Sequence, residues 1–396
     1  MLITLKIVGQ FWQKKIRGVN LTKPRILIAT APFGNGHLQA ANTLKAAFEA
    51  NGCEVMCYDS ATELHPYITR MTQDGYKQMY RTWLHSIYKM SYNFVGTPPI
   101  LPISRFVLRT GRLKPAMSQI KAFNADAVIG TFPVPDFFNL AKTQMINIPV
   151  YMLITDYTAH PLWFDSHVKR YFIADERIKQ MVPKRLAGQN LEFEVTGIPV
   201  RPQFEETPDV EQVYAQYGMN PEHKHILFMA GANNVMPNFG PCLETVLENE
   251  GIDIIFIAGR NKSLQDKIDV IANKYPGRVV SLGYVDNVSD IYHAVDVVIT
   301  KPGGITVSEL AMTKTPAIFI RPLPGQEGDN AEFFTKRGAT KTVKTALAAS
   351  AAAVKLVSDP DKLIKMQKAY DSLRHPHASE AIVKSVLNDI KNEKSK

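Results

Sequence analysis

Short apolar runs alternate with amphipathic stretches along most of this chain, and this alternation limits the fold more than any other feature of the sequence. Short buried strands separated by helical stretches are typical of parallel α/β sheets. Strands are predicted at residues 25–30, 54–58, 127–130, 150–155 and 171–174, and in a second series at 225–230, 252–258, 279–282, 295–300 and 317–320. The chain is therefore predicted to be an α/β protein with doubly wound sheets.

A break in the alternation at residues 197–202 (GIPVRP), followed by the acidic segment 205–212, indicates an interdomain linker. A chain of 396 residues is also too long for one compact core. Two Rossmann-like domains are predicted, at residues 1–200 and 201–375, with a helix at 376–396 that packs back on the first domain. Ligands of such domains bind outside the carboxyl ends of the strands, so the loops there are the candidate site.

The charge of the chain is unevenly distributed. Lys and Arg number 46 against 37 Asp and Glu, a net charge of +9 that suits nucleic acid, an anionic membrane or a phosphorylated small substrate. Between residues 67 and 115 eight cations, Arg105, Arg109 and Arg112 among them, face a single acid, Asp74, and aromatic residues are interleaved with them. This segment is either a membrane-docking surface or a pair of solvated helices with aromatic residues in the core. The three cysteines show neither disulfide nor metal-binding spacing, which favours a reducing cytosolic compartment.

The loop after the first strand, residues 31–37, holds Gly34, Gly36 and His37. Glycines before a helix let the backbone approach an anionic ligand. It is not the dinucleotide fingerprint, because Gln39 stands where the third glycine would be. His37 is either a general base beside a phosphate-binding turn or an ordinary helix-start residue.

The segment 154–163 follows a predicted buried strand and contains Asp156, His160 and Trp163. We expect Asp156 at the edge of the cleft and the other two in an exposed turn. These side chains are suited to orienting a hydroxyl acceptor or stacking on a sugar. A local Asp turn and a packed tryptophan explain the same pattern equally well.

The segment 300–309 combines a strand end, a turn at Gly303 and Gly304, and a helix expected to start near Thr306. Free backbone N–H groups at a helix start can bind a diphosphate, and Glu309 can accept the hydroxyls of a ribose. The competing interpretation is a capping box, in which Thr306 and Glu309 satisfy each other's backbone N–H groups.

The segment 321–330 follows the next strand, so it lies beside segment 300–309 at the same sheet edge. Its prolines stiffen it, and Gln326, Glu327 and Asn330 carry donors and acceptors suited to sugar hydroxyls. Three further loops, at 231–234, 259–261 and 283–287, directly follow strands of the second series.

Taken in order, the segments GNGHLQAA, TDYTAHPLW, TGIPVRP, GYVDN, TKPGGITVSE and PLPGQEGDNAEFF resemble the diacylglycerol glycosyltransferases, which are family 28 glycosyltransferases. That family includes bacterial processive diacylglycerol glucosyltransferases and plant monogalactosyldiacylglycerol synthases. The resemblance covers residues from about 25 to 381. It implies a GT-B fold and an inverting transfer from a UDP-hexose to the 3-hydroxyl of diacylglycerol. The turn Lys-Pro-Gly-Gly at 301–304 is closer to the bacterial enzymes, which favours glucose.

The resemblance also implies residue roles. His37 is the candidate base, with Asp156 as a second catalytic residue and His160 and Trp163 on the acceptor side. The residues implied in donor binding are Gly36, Arg201, Arg260, Val285, Gly303, Gly304, Thr306, Glu309, Gln326 and Glu327. A lipid acceptor favours the docking interpretation for Arg105, Arg109 and Arg112, and places the protein in the cytoplasm at the inner face of the membrane.

No metal or other cofactor is expected, because helix N-termini and Arg201 can stabilise the departing diphosphate and no paired aspartates end a strand. No nucleic-acid partner is expected either. Two alternatives remain on the same fold. One is a UDP-N-acetylglucosamine 2-epimerase-like enzyme, which would need further carboxylates in the cleft. The other is a non-catalytic UDP-sugar sensor, against which the presence of His37 and Asp156 argues.

Overall fold

Two six-stranded parallel sheets organise the chain in the computed structural model, which describes residues 23–31, 35–59, 113–133, 135–142, 146–229, 239–320 and 322–395. The first sheet comprises β1 (Arg25–Thr30), β2 (Glu54–Asp59), β3 (Ala127–Gly130), β4 (Val150–Leu153), β5 (Arg170–Ile173) and β6 (Phe193–Val195), in the spatial order β2-β1-β3-β4-β5-β6. Its described helices are α1 (Asn35–Ala50), α2 (Leu113–Phe123) and α3 (Pro135–Lys142). The order reverses at β1, so a crevice opens at the carboxyl ends of β1 and β3.

The second sheet has the same architecture. It comprises β7 (Lys224–Met229), β8 (Ile252–Ile257), β9 (Val279–Leu282), β10 (Val297–Thr300), β11 (Ala317–Ile320) and β12 (Thr340–Val343), in the order β12-β11-β10-β7-β8-β9. Its helices are α4 (Val210–Tyr217), α5 (Phe239–Leu247), α6 (Lys262–Lys274), α7 (Val288–Ala294), α8 (Gly304–Thr313), α9 (Gln326–Lys336), α10 (Ala346–Val357) and α11 (Pro360–Ala369). The order reverses between β7 and β10, which places α8 at the second crevice.

The predicted fold class is confirmed, and all ten predicted strands are present with ends shifted by at most a few residues. Two strands were missed. β6 has three residues and is only partly buried, and β12 (TKTV) exposes two of its four residues. Both lie at sheet edges, where a strand lacks the continuous apolar run that identifies a central parallel strand.

The larger hydrophobic cluster continues from one domain into the other. It contains Ile28 of the first sheet and Trp163, and also Ile305 and Val307 of α8. The smaller cluster lies within the second domain. Because the larger core is shared, apolar burial holds the two crevices against each other.

The last helix, α12 (Ala378–Lys394), returns to the first domain. Tyr151 on β4 donates to Asp389 Oδ2 at 2.9 Å, and Arg170 on β5 contacts the same carboxylate at 3.0 Å. None of the helices within the described ranges has the length and apolar character needed to cross a membrane.

The chain passes between the domains at two neighbouring points. Gly197 has φ +81°, and a Cβ built on it would lie 2.2 Å from His375 Cβ, just before α12. A side chain at position 197 would therefore face both backbone strain and a steric clash.

This packing predicts that alanine at two glycine positions with nearly the same backbone conformation destabilises the protein to different extents. Gly188 has φ +80°, and a methyl group placed on it would have nothing within 4 Å, so Gly188→Ala should cost about 1–2 kcal/mol from left-handed strain alone. Gly197→Ala should cost a further ~1–3 kcal/mol from the clash. Urea unfolding of both variants measures the difference, and equal destabilisation would contradict the proximity of Gly197 and His375.

Candidate active site

His37 lies in the first part of α1, at the crevice of the first sheet. Its Nδ1 is 2.8 Å from Thr131 O, just beyond β3, and 2.8 Å from Thr155 Oγ1, beyond β4. A carbonyl oxygen can only accept a hydrogen bond, so this geometry places the proton on Nδ1 and leaves Nε2 unprotonated. Burial lowers the pKa of His37 to about 4, although the bond to Thr131 opposes this effect. The imidazole is therefore neutral at pH 7, as a general base requires.

Aromatic side chains surround the imidazole. Phe132 meets it edge-on at 5.1 Å between ring centroids, and Trp163 lies at 6.2 Å. The expectation that Trp163 sits in an exposed turn is wrong, because its side chain is buried. His160 Nδ1 accepts from Leu162 N at 3.3 Å and caps the 3₁₀ turn Pro161–Trp163, which directs the indole inward.

Asp156 lies at the junction of the two domains. Its carboxylate accepts a hydrogen bond from Asn330 Nδ2 at 2.9 Å and another from the backbone N–H of Gly304. Burial raises the pKa of Asp156 to about 7 against the opposing effect of these two donors. A first-domain carboxyl group is thus placed at the N-terminus of a second-domain helix.

That helix, α8, begins at Gly304 with Gly303 as its N-cap, two residues earlier than expected. The capping-box interpretation is wrong, because the N-cap is Gly303, which has no side chain, and Thr306 lies inside the helix. Glu309 instead accepts from Gln39 Nε2 at 2.6 Å and lies 3.7 Å from an Arg201 nitrogen. Among the N–H groups at the helix start, that of Gly304 is bonded to Asp156, in the position that an anion would otherwise take.

Glu309 is buried among groups of both domains. Burial raises its pKa to about 7, and Arg201 and Gln39 oppose that rise. Arg201 Nη1 donates to Asp286 O at 2.5 Å, and its guanidinium lies 5.2 Å from the Phe204 ring centroid. Arg201 therefore connects the interdomain linker, the loop after β9 and Glu309.

The loop before α9 is stiffened by its own side chains. Gly325 has φ +92°, and Glu327 accepts from Leu323 N at 2.7 Å. Lys301, the first residue after β10, lies 3.9 Å from Glu327. Gln326 is half-buried in this loop. Asn330 is fully buried and bonded to Asp156, Pro302 O and Tyr157 N, which differs from the sugar-facing amide expected from the sequence.

His160, Trp163, Gln326 and Glu327 are placed above, and the other predicted site residues divide into three groups. The first group lies together at the cleft: Gly36, His37, Asp156, Arg201, Gly303, Gly304, Thr306 and Glu309. In this group, Gly36 faces Ile305 of α8. Half-buried Val285 lies beside the contact of Arg201 with Asp286, whereas Arg260 is exposed and stacks 4.7 Å above exposed Tyr284. Arg105, Arg109, Arg112, Gly34 and the loop 231–234 lie outside the described residues.

Three contributors were missed by sequence reasoning. Thr131 and Thr155 hold the imidazole of His37, and Gln39 binds Glu309. The sequence gives a weak indication of the two threonines, because each follows an apolar strand that ends at the crevice. The sequence drew attention to Gln39 only because it stands where the third glycine of a dinucleotide-binding motif would be.

The raised pKa of Asp156 predicts a pH dependence of stability. An unfolded Asp has a pKa of about 3.9, so between about pH 4 and 7 the folded protein binds more protons at this site than the unfolded one. The contribution of Asp156 to stability therefore falls as pH rises through that window. Melting temperatures at pH 5 and pH 8 should differ less in Asp156→Asn than in the unmodified protein. An unchanged difference would contradict the burial of an ionisable carboxyl group.

Two family models match the chain, one on each domain. The model described as monogalactosyldiacylglycerol (MGDG) synthase matches residues 37–200, and that of the glycosyltransferase family 28 C-terminal domain matches residues 227–384. Among solved structures, Acinetobacter baumannii MurG has a TM-score of 0.57 at 15% identity, covering 93% of this chain and 100% of that one. The S. aureus MnaA–UDP co-structure has a TM-score of 0.56 at 14% identity, covering 91% and 95%. These likenesses are at the level of fold, and they support the predicted GT-B arrangement.

Sequence relatives are much closer. A processive diacylglycerol beta-glucosyltransferase of Bacillus cereus (strain G9842) is 33% identical over 373 residues, which covers 93% of this chain and 94% of the relative. A protein of the same name from Bacillus thuringiensis (strain Al Hakam) is 32% identical over 371 residues, covering 93% and 95%. With this identity over nearly the whole length, and with both domains matched, the chain belongs to the diacylglycerol glycosyltransferase family, within glycosyltransferase family 28.

Proposed function

We propose that this protein transfers a hexose, glucose in preference to galactose, from a UDP-sugar to the 3-hydroxyl of diacylglycerol with inversion at the anomeric carbon. The observation that carries the proposal is the neutral His37, with Nε2 unprotonated, in a crevice that faces the start of α8. The names of the relatives support both the acceptor and the sugar. A β-linked product from an α-linked nucleotide sugar requires inversion, which one base and one leaving-group site can accomplish.

In this mechanism Nε2 of His37 takes the proton of the acceptor hydroxyl. The hydroxyl oxygen attacks the anomeric carbon, and the bond from that carbon to the diphosphate oxygen breaks. Thr131 O accepts from Nδ1 throughout, which holds the ring in the required tautomer and stabilises the imidazolium that forms. The proton then passes from the imidazolium to solvent as the glycolipid leaves.

The donor lies along the second crevice. Backbone N–H groups at the start of α8, with Gly303, Gly304 and Thr306, bind the diphosphate and stabilise the charge that develops on it. Glu309 binds the ribose, backbone atoms at Val285 bind uracil, and Gln326 with Glu327 binds the hexose. Helix N-termini and the nearby Arg201 supply the positive charge, so the transfer needs no metal or other cofactor.

The acceptor approaches from the first domain, where Asp156 and His160 lie near the base. The basic segment with Arg105, Arg109 and Arg112 docks on an anionic leaflet, each cation near the surface contributing about 1 kcal/mol. The protein then works as a peripheral enzyme at the inner face of the cell membrane. The eight cations and single acid of residues 67–115 support this placement.

The test is to offer UDP-glucose and UDP-galactose separately, with diacylglycerol in anionic vesicles, and to examine the lipids by mass spectrometry and anomeric NMR. Monohexosyl diacylglycerol with a β linkage, formed faster from UDP-glucose, is the expected result. Formation of an epimerised UDP-sugar without lipid, or binding without any product, would contradict the proposal.

Replacing His37 tests the base. His37→Ala should lower kcat by about 10²- to 10⁴-fold, because a positioned general base contributes that much, while UDP affinity stays unchanged. Steady-state kinetics and calorimetric titration with UDP measure the two effects. Thr313→Ala, on α8 away from the base, serves as a control for general disturbance of the cleft. A His37→Ala enzyme with nearly full kcat would exclude His37 as the base.

Replacing Glu309 tests the ribose site. Glu309→Ala should raise the KM for the UDP-sugar by about 10²-fold, since two hydrogen bonds to a charged group are lost, and should leave vesicle binding unchanged. Glu332→Ala removes an exposed carboxylate from α9 and serves as the matched control. An unchanged donor KM in Glu309→Ala would remove Glu309 from the donor site.

A further inference from the structure

The carboxylate assigned to the ribose is already hydrogen-bonded to another side chain. Glu309 is only 6% exposed, and its Oε1 accepts a 2.6 Å hydrogen bond from Gln39 Nε2. Gln39 belongs to α1 of the first domain, 270 residues away in the chain. A ribose hydroxyl that binds a carboxylate donates to it in the same way as this amide does.

The start of α8 is occupied as well. The Asp156 carboxylate accepts from the Gly304 N–H, as a phosphate oxygen would. The approach is so close that a Cβ on Gly304 would lie 1.9 Å from Thr155 O and 2.8 Å from Asp156 Oδ1. A diphosphate cannot enter between Gly304 and Asp156 at this distance.

The residues after β4 are fastened in this position by the second domain. Asn330 donates to Asp156 Oδ1 and accepts from Tyr157 N, both at 2.9 Å. The Tyr157 ring packs 4.8 Å from both Phe333 and Phe334 of α9, and its hydroxyl lies 3.2 Å from Ser308 Oγ. The occupation of the donor positions is therefore part of a packed interface between the domains.

We propose that Gln39 and Asp156 are donor surrogates: their contacts occupy the ribose and diphosphate positions, hold the two domains closed and compete with the donor. This inference rests on the proposed function, because it takes Glu309 and the start of α8 as the donor site. Each surrogate has the hydrogen-bonding polarity of the group it replaces. The Gln39 amide donates as a ribose hydroxyl would, and the Asp156 carboxylate accepts as a phosphate would. The donor then binds only to molecules in which the contacts across the cleft have separated.

The consequence is a measurable loss of affinity. When only a fraction of the molecules can bind, the apparent Kd is the intrinsic Kd divided by that fraction. Removing a surrogate raises the open fraction and so tightens donor binding, which is the opposite of what the loss of a donor-contacting residue would do.

The experiment is calorimetric titration of the full-length protein with UDP, in the unmodified form and as Gln39→Ala. Gln39→Ala should bind UDP about three- to tenfold more tightly, since one hydrogen bond to a carboxylate no longer competes. Asn42→Ala, an exposed polar-to-alanine change on the same helix, should bind as the unmodified protein does. Small-angle scattering of ligand-free Gln39→Ala should also show a larger radius of gyration than that of the unmodified protein.

Unchanged or weaker UDP binding by Gln39→Ala would overturn the inference. If at the same time Glu309→Ala weakens UDP binding, the donor site stands and only the surrogate role of Gln39 is lost. If the unmodified protein binds no UDP, or Glu309→Ala binds it equally well, the donor assignment itself fails and the inference fails with it.

Discussion

The close contact between Gly304 and the segment Thr155–Asp156 is the constraint on which the rest of the site depends. Only a residue without a side chain lets the start of α8 approach the carboxyl end of β4 so closely. That approach brings α1 within reach of Glu309 and buries Asp156 with Asn330. It also dries the cleft, and desolvation is the main cause of the shifted pKa values of His37, Asp156 and Glu309.

The three shifted groups have a common physical basis. Each shift favours the neutral form of its group, because burial penalises the charged form. A neutral imidazole is what a base needs before it meets a hydroxyl. In the proposed mechanism the donor's diphosphate approaches two carboxyl groups whose raised pKa values favour protonation, which reduces the repulsion between them.

Local pattern predicted the fold well, because each buried strand is a short apolar run in its own right. The loops that it singled out follow strand ends, where ligands of parallel sheets bind. The local sequence pattern could not distinguish between two structural interpretations of the same segment. Thr306 and Glu309 have capping-box spacing. Only the contacts with Gln39 of α1 and Arg201 of the linker show that the Glu309 side chain points away from the helix cap. The inward direction of Trp163 and the partner of Gln39 likewise depend on residues distant in the chain.

The two crossings of the chain between domains lie side by side, at Gly197 and next to His375. Two adjacent connections restrict the relative motion of the domains more than a single linker would. Such a pair of connections favours rotation about the line through the crossings over sliding or free twisting of the domains. If the domains separated, their motion would follow one arc, and the return would bring His37 and α8 back to the same relative position.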